Sequence, residues 1–297
     1  MIRPTRRAFV QAAAAPVIAG AGLSRAAEIQ PARAADLTAQ QLIDRIRGAV
    51  GIPWKEKTID GFKAGDPATV LTGVAVTVAA RLDNLKRAAA AGCNLVIAQE
   101  PVFYGANDEP GNRATDAVYL AKKAYIEQAK LVLWRFADHW NARQPDPRVA
   151  ALAEALSWPA ASNIGEGIYR IPETSLSALM THIRSRLGVR GGMRHVGPPD
   201  LRVRTVLLSP GTTDLPSTVA RLSGADAIVA GEPREWEVVP YVLDARENGA
   251  AKALIAVGRI VSEEPGMRAC AAWVRTLAPS LRVEPLPVGD PYWSASS

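Results

Sequence analysis

The sequence has 297 residues, 48% of them hydrophobic, and a formal net charge of +6 at pH 7. Most of this charge lies in residues 1–34, which hold five arginines and one glutamate, so residues 35–297 carry only +2. That length suffices for one large or two smaller cores. Because no basic stripe with interleaved aromatic residues is present either, we expect no nucleic-acid partner.

The first 34 residues have the features of an export signal. Arg6-Arg7 forms a twin-arginine pattern, the stretch from Ala8 to Ser24 is uncharged, and Ala32-Arg33-Ala34 is a small-x-small cleavage site. The apolar part is too short and too weakly apolar to span a membrane. We therefore expect a twin-arginine signal peptide over 1–34 and a periplasmic protein without a stable membrane anchor. A buried N-terminal helix is the alternative.

Helices and strands alternate along the rest of the chain. Thr38 can cap the first helix, whose apolar residues Leu42, Ile46 and Val50 recur at helical spacing. Before residue 157 the sequence predicts a helix over 38–50, a short strand within 58–65, a strand–helix–strand unit over 70–98, a helix over 116–130, a strand over 131–134 and a helix over 148–156. A Pro/Ser/Gly-rich boundary follows over 157–175. After it the sequence predicts a helix over 175–187, a second strand–helix–strand unit over 203–230, a helix over 235–248, a strand over 253–258, a loop over 262–265 and a helix over 267–277.

The two strand–helix–strand units end in nearly the same residues. Val96-Ile97-Ala98-Gln99-Glu100-Pro101 corresponds to Ile228-Val229-Ala230-Gly231-Glu232-Pro233. Continuous apolar strands linked by helices are typical of parallel sheets covered on both faces. The duplication predicts two related three-layer α/β lobes with mainly parallel strands, over 35–160 and 161–297, with the segment after 254 contributing to the cleft between them. A chance likeness of common α/β segments is the alternative.

Acidic groups and one imidazole follow four of the apolar strands. They are Glu100, Asp138-His139, Glu232 and Glu263. Open α/β sheets place their ligand sites at such strand ends. Carboxylates with one imidazole suit Mn²⁺, Mg²⁺ or Ca²⁺ better than zinc, and a metal there could activate water. These residues could equally be helix caps and ion-pair partners.

Other common motifs are missing from the sequence. It has no Cys-x-x-Cys, no Gly-x-Ser-x-Gly elbow and no Walker or Rossmann fingerprint. The two cysteines, Cys93 and Cys270, could form a disulfide in an oxidising compartment or remain buried free thiols.

Four motifs in order resemble the Nif-three-like family, also known as dinuclear metal centre hexameric or GTP cyclohydrolase I type 2-like proteins. They are Glu100-Pro101-Val102-Phe103-Tyr104, Trp134-Arg135-Phe136-Ala137-Asp138-His139-Trp140, Gly231-Glu232-Pro233-Arg234-Glu235-Trp236 and Ser262-Glu263-Glu264-Pro265-Gly266-Met267. The resemblance covers most of 36–293. It implies two related α/β lobes in a ring-shaped hexamer, with two metals held by His and carboxylates between the lobes. Cyclohydrolase and phosphoester hydrolysis are the reactions proposed for the family.

The chain departs from the family pattern where imidazoles are expected. Gln99, Ala137, Asn141 and Arg259 stand in their places. The metal candidates that the resemblance leaves are Glu100, Asp138, His139 and Glu263, and the other cleft candidates are Gln99, Asn141, Glu232 and Arg259. A guanidinium in place of imidazole should lower transition-metal affinity.

Three functions stay open on this pattern. The first is a metal-dependent hydrolase with a carboxylate-rich site, acting on a small, phosphorylated or nucleotide-like substrate. The second is a metal-depleted family member that binds a small molecule or serves as a scaffold. The third is a purely structural ring protein, which predicts no convergent polar groups. Contact between Arg259 and the carboxylates would favour the second.

Overall fold

The computed structural model describes residues 36–294, which form one compact unit. The predicted signal peptide lies outside these residues. Within them, no helix combines the length and apolar character needed to cross a membrane.

The first sheet has five strands in the order β1-β4-β3-β2-β11. Its strands are β1 (Gly61–Ala64), β2 (Val74–Thr77), β3 (Leu95–Ala98), β4 (Val132–Arg135) and β11 (Val283–Pro285). All neighbours are parallel except β1, an edge strand antiparallel to β4. The helices of this part of the chain are α1 (Ala39–Ala49), α2 (Leu82–Ala90), α3 (Ala117–Gln128) and α4 (Asp138–Asn141). The predicted Thr38 cap of α1 is present, with Gln41 completing a capping box.

The second sheet has six strands in the order β5-β6-β8-β9-β10-β7. Its strands are β5 (Asn163–Gly165), β6 (Ile168–Ser175), β7 (Arg194–Val196), β8 (Arg202–Thr213), β9 (Ala227–Pro233) and β10 (Ala253–Ala256). The central strands β8, β9 and β10 are parallel, and the others pair antiparallel. The helices here are α5 (Pro147–Ala155), α6 (Leu176–Leu187), α7 (Leu215–Leu222), α8 (Glu235–Glu247) and α9 (Arg259–Leu277).

The two predicted strand–helix–strand units have the same topology. In both β2-α2-β3 and β8-α7-β9, a helix links adjacent parallel strands. Alternate residues of β3 pack into separate cores, Leu95 and Ile97 into one and Val96 and Ala98 into the other. Strand β9 divides its residues in the same way. Each sheet is thus covered on both faces, and the predicted fold of two related α/β lobes is confirmed.

Each lobe contributes a helix to the other lobe's core. Helix α5 packs against the second sheet through Val149 and Leu152, whereas α9 packs against the first through Cys270 and Val274. Strand β11 then completes the first sheet. The two cores therefore do not separate at residue 160, where the lobe boundary was predicted, because the apolar faces of α5 and α9 are buried across that boundary.

Two predicted irregular segments are regular in the structure. The 157–175 segment contains β5 and β6, and its Pro172 lies where the pairing of β6 with β8 shifts register, so no ladder hydrogen bond is lost. The predicted loop over 262–265 lies inside α9, which begins at Arg259 and contains Pro265. The helix continues through this proline although the proline lacks an N–H group, and residues on both sides of it, such as Val261 and Met267, are buried. Cys93 and Cys270 are buried free thiols.

Candidate functional site

Polar residues from both lobes meet where the parallel strands end. Gln99 and Glu100 follow β3, Glu232 lies at the end of β9, and Arg259 opens α9 directly after β10. Asn141 reaches the same place from α4. Strand carboxyl ends are the usual ligand-binding edge of α/β sheets, and here two such edges face each other.

Arg259 joins the carboxylates of the two lobes. Its Nε donates to Glu100 Oε1 at 2.6 Å and its Nη1 to Glu232 Oε2 at 3.3 Å, while Nη1 also donates to the Thr212 hydroxyl. Burial by itself lowers the pKa of Arg259, but the charges of Glu100 and Glu263 outweigh it, so the pKa is raised. Arg259 and Glu100 therefore form a charge-assisted pair.

Glu263 is the most buried carboxyl of this cluster, with only 2% of the residue exposed. Gln99 Nε2 donates to its Oε1 at 2.8 Å, and Arg148 Nη1 lies 3.7 Å from the same oxygen. Burial, and after it the charge of Glu100, raises the pKa of Glu263 to about 8, although Arg259 and Arg148 act in the opposite direction. Burial therefore favours the protonated form of Glu263 over the ionised form.

Two buried oxygens in the cluster lack a hydrogen-bond donor among the described residues. They are Gln99 Oε1 and Glu263 Oε2. Arg259 Nε is 3.8 Å from Glu263 Oε2, too far for a hydrogen bond. A protonated Glu263 can instead donate to Glu100, which leaves Gln99 Oε1 as the clearest open acceptor. Unsatisfied buried acceptors cost free energy, so a donor from water or a ligand would be stabilised here.

Two glycines let the strands approach the start of α9 closely. Strand β8 has a bulge between Ser209 and Thr212, where Gly211 has a φ of +77°. A Cβ at Gly211 would lie 2.4 Å from Glu263 Oε1, and one at Gly231 would lie 2.5 Å from Gly211 O. The missing side chains therefore permit the contact of β8 and β9 with Glu263, and the bulge turns Thr212 toward Arg259.

A buried ionic network holds the loop that carries Gln99 and Glu100. Asp108 accepts from the backbone N–H groups of Val102 and Phe103, and Arg135 binds both Asp108 and Gln99 O. The Lys122 ammonium donates to Val102 O under the same loop. Burial lowers the pKa of Lys122 from 10.5 to about 8.

The lowered pKa of Lys122 predicts a pH-dependent stability. Between about pH 8 and 10.5 the unfolded chain holds this proton and the folded chain has lost it, so the free energy of unfolding rises with pH. Below pH 8 Lys122 is charged in the folded chain, and burial of this charge lowers the free energy of unfolding by its full amount. Relative to Lys122→Met, the wild type should gain up to a few kcal/mol across this window in denaturant titrations. Lys123→Met, at an exposed neighbour, should show no such trend, and a flat difference for Lys122→Met would contradict the assignment.

The structure does not bring Asp138 and His139 into the cluster. Asp138 Oδ2 accepts from the Thr58 hydroxyl at 2.8 Å and from Ile59 N at 3.0 Å. His139 is fully buried: its Nδ1 lies 2.7 Å from Asp60 Oδ2, and its Nε2 accepts from Lys55 N at 2.9 Å. Both ring nitrogens are thus used within the first lobe, which corrects the prediction that they converge with Glu100 and Glu263.

The residues present at the strand ends do not fit a metal centre in this arrangement. Among residues 36–294, no group of three or more His, Cys, Asp or Glu is placed to hold a metal ion. The Arg259 guanidinium lies between Glu100 and Glu232, and a fixed cation there repels a second one.

Sequence reasoning missed three residues that shape the site. Thr212 follows the bulge in β8, and a bulge cannot be seen in an apolar pattern. Arg148 lies on α5, which was assigned to the other lobe. Asp60 lies in the 58–65 segment, where only a short strand is predicted, and the fold brings its carboxylate to the start of α4.

Comparisons with known proteins agree with this architecture. A family model described as Duf34/NIF3 (NGG1p interacting factor 3) matches residues 38–287. The Staphylococcus aureus hypothetical protein SA1388 superposes with a TM-score of 0.68 at 15% identity, over 86% of this chain and 99% of that one. A Bacillus cereus protein related to NIF3 gives 0.67 at 13% identity, over 87% and 99%. Reduced HcgD from Methanocaldococcus jannaschii gives 0.58 at 13% identity, over 84% and 98%. At these identities the likeness concerns the fold, and no curated protein matches the chain.

Proposed function

This chain belongs to the Duf34/NIF3 family, and we propose that it binds a small molecule at the strand-end site, with Arg259 taking the place of a metal cation. The observation that carries the proposal is the position of the Arg259 side chain. It pairs with Glu100 at 2.6 Å and Glu232 at 3.3 Å, and so links the two lobes.

The electrostatics of the site support this proposal. A permanent guanidinium neutralises part of the charge of Glu100 and Glu232, as a divalent cation otherwise would. Both ring nitrogens of His139 are used by Asp60 and Lys55 N, so this imidazole is not available to the cluster. The convergence of polar groups speaks against a purely structural ring protein.

The open acceptors indicate the kind of ligand. Gln99 Oε1 lacks a donor among residues 36–294, and Glu232 and Thr212 at the same site are exposed. A ligand with several N–H or O–H donors would satisfy the acceptors and still leave Arg259 its own partners. The site is therefore suited to a small, donor-rich polar molecule.

Metal content tests the proposal. We expect purified wild-type protein to contain substoichiometric zinc and iron by elemental mass spectrometry. Arg259→His should raise the bound metal, because a neutral nitrogen ligand appears beside three carboxylates and a repelling charge is lost. Arg186→His, on the exposed surface of α6, is the matched control and should bind no more than wild type. Stoichiometric zinc or iron in the wild type would overturn the proposal.

Hydrolysis is the second candidate, and one observation favours it. The raised pKa of Glu263 is typical of a carboxyl that acts as a general acid at neutral pH. If the protein is a hydrolase, wild type incubated with excess Mn²⁺ should cleave a phosphoester such as p-nitrophenyl phosphate, and Glu263→Gln should abolish the cleavage. Absence of turnover under metal loading would leave the binding function as the better account.

We further propose that the chain is exported by the twin-arginine route to the periplasm. Because the arginine pair is read by a receptor, Arg6→Lys with Arg7→Lys should leave unprocessed precursor in the cytoplasm. Cell fractionation with immunoblotting measures this. Arg3→Lys with Arg25→Lys changes two arginines outside the pair and serves as the control. Normal periplasmic yield of the first variant would rule the route out.

A further inference from the structure

A second concave site lies in the first lobe, away from the strand-end cluster. It is a cavity of about 620 Å³ between the edge strand β1 with its following turn and helix α3. Its floor is formed by the buried side chains of Phe103, Tyr119, Ile126 and Leu131. Tyr119 and Ile126 of α3 pack with the residues of β3 and β4, whereas every residue of β1 is only half-buried. The helix thus leaves the sheet edge uncovered, and the cavity is the space that remains.

The rim of this cavity is rich in lysine. Lys63, Lys123 and Lys130 lie on it, with Asp66 and Glu127 as the acidic residues. Lys63 is 3.6 Å from the buried Asp108, and Lys123 is 3.8 Å from the exposed Glu127, a pair of little strength. The Lys130 side chain has no ion-pair partner among the described residues. Asp66 Oδ1 accepts from Ala68 N and so stabilises the turn that contains both residues. The rim therefore carries a net positive charge with ammonium groups available to an anion.

We propose that this cavity binds an amphipathic anion, a molecule with an apolar chain or ring and one carboxylate or sulfate head group. The volume lies within the range of small-molecule sites, which are commonly apolar with a few polar groups at fixed places. The apolar body packs on Phe103, Ile126 and Leu131, and burial of this surface drives binding. The head group remains at the rim, where Lys123 and Lys130 pair with it. This site is independent of the Arg259 cluster.

The proposal is tested with two single-chain probes of nearly equal chain length and opposite head-group charge. Dodecanoate and dodecyltrimethylammonium, both below their micellar concentrations, are titrated into the protein by isothermal calorimetry. Dodecanoate should bind with one site per chain, and the cationic probe should bind at least about tenfold more weakly, since it meets the lysine rim with like charge. Methyl resonances of Ile126 and Leu131 should shift with dodecanoate.

Variants locate the binding to this cavity. Lys123→Glu with Lys130→Glu should weaken dodecanoate binding at least about fivefold, as two ammonium groups are replaced by carboxylates. Thr69→Trp should abolish it by filling the cavity. Lys57→Glu, at an exposed position off the rim, is the matched control and should bind as wild type does. Circular dichroism confirms that each variant is folded.

Three results would overturn the proposal. One is equal binding of the two probes, which would show an apolar surface without selection for an anion. Another is dodecanoate binding that Thr69→Trp leaves unchanged, which would place the ligand elsewhere. The third is a wild type that does not bind dodecanoate and a Thr69→Trp variant whose oligomer dissociates in sedimentation velocity. This result would identify the face as a contact between copies of the chain.

Discussion

Replacing Gly231 by alanine is expected to destabilise the protein by at least about 3 kcal/mol. A Cβ at this position would lie 2.3 Å from Ser262 Oγ, 2.5 Å from Gly211 O and 2.8 Å from Gly211 N. Ser262 could rotate away, but the two atoms of Gly211 belong to the backbone of β8. The clash with Gly211 can therefore be relieved only by separating β8 from β9.

The effect of Gly231→Ala should be visible in both stability and site geometry. Denaturant titration measures the loss in free energy of unfolding. The matched control is Gly48→Ala in α1, where a Cβ meets nothing within 4 Å, so that helix propensity should give a gain of up to about 1 kcal/mol. Because Arg259 binds Thr212 and Glu232 of the displaced strands, bound metal or ligand should change as well. A loss below about 1 kcal/mol in Gly231→Ala would contradict the close approach.

Replacing Asp60 by alanine is expected to cost about 4 kcal/mol. The Asp60 carboxylate accepts from the backbone N–H groups of residues 137, 138 and 139 and from His139 Nδ1, at 2.6 to 3.0 Å. Its side chain is fully buried. It therefore caps α4 from a distant segment, since Ala137 at the N-cap position has no side chain to do so. Alanine would leave four donors without a partner.

Two variants make this test specific. Asp60→Asn keeps one acceptor oxygen but presents an amide to His139, so its loss of stability should be intermediate. Asp44→Ala removes an exposed carboxylate that accepts only from Gln40 on α1, and it should change the free energy of unfolding by less than about 0.5 kcal/mol. Equal stability of Asp60→Ala and Asp44→Ala would show that Asp60 does not support α4.

Local sequence patterns determined the elements and the fold class of this protein. The buried strands are apolar runs in the sequence because helices cover both faces of each sheet, and Thr38 and Asp116 marked helix starts that the structure shows. The repeat of Glu100-Pro101 and Glu232-Pro233 located two corresponding strand ends. These signals lie within a few residues of each other in the chain, so they need no knowledge of the tertiary structure.

Only the tertiary structure decided which of the candidate residues meet. Asp138 and His139 follow a strand as Glu100 does, yet Asp60, Thr58 and Lys55 N occupy their hydrogen-bonding atoms. Arg259 and Glu100 are 159 residues apart in sequence and still form an ion pair at 2.6 Å. The exchange of α5 and α9 between the lobes also depends on packing across the predicted boundary. A strand-end position determines where the backbone of a residue lies. The partner of its side chain depends on long-range packing, which a local sequence pattern does not indicate.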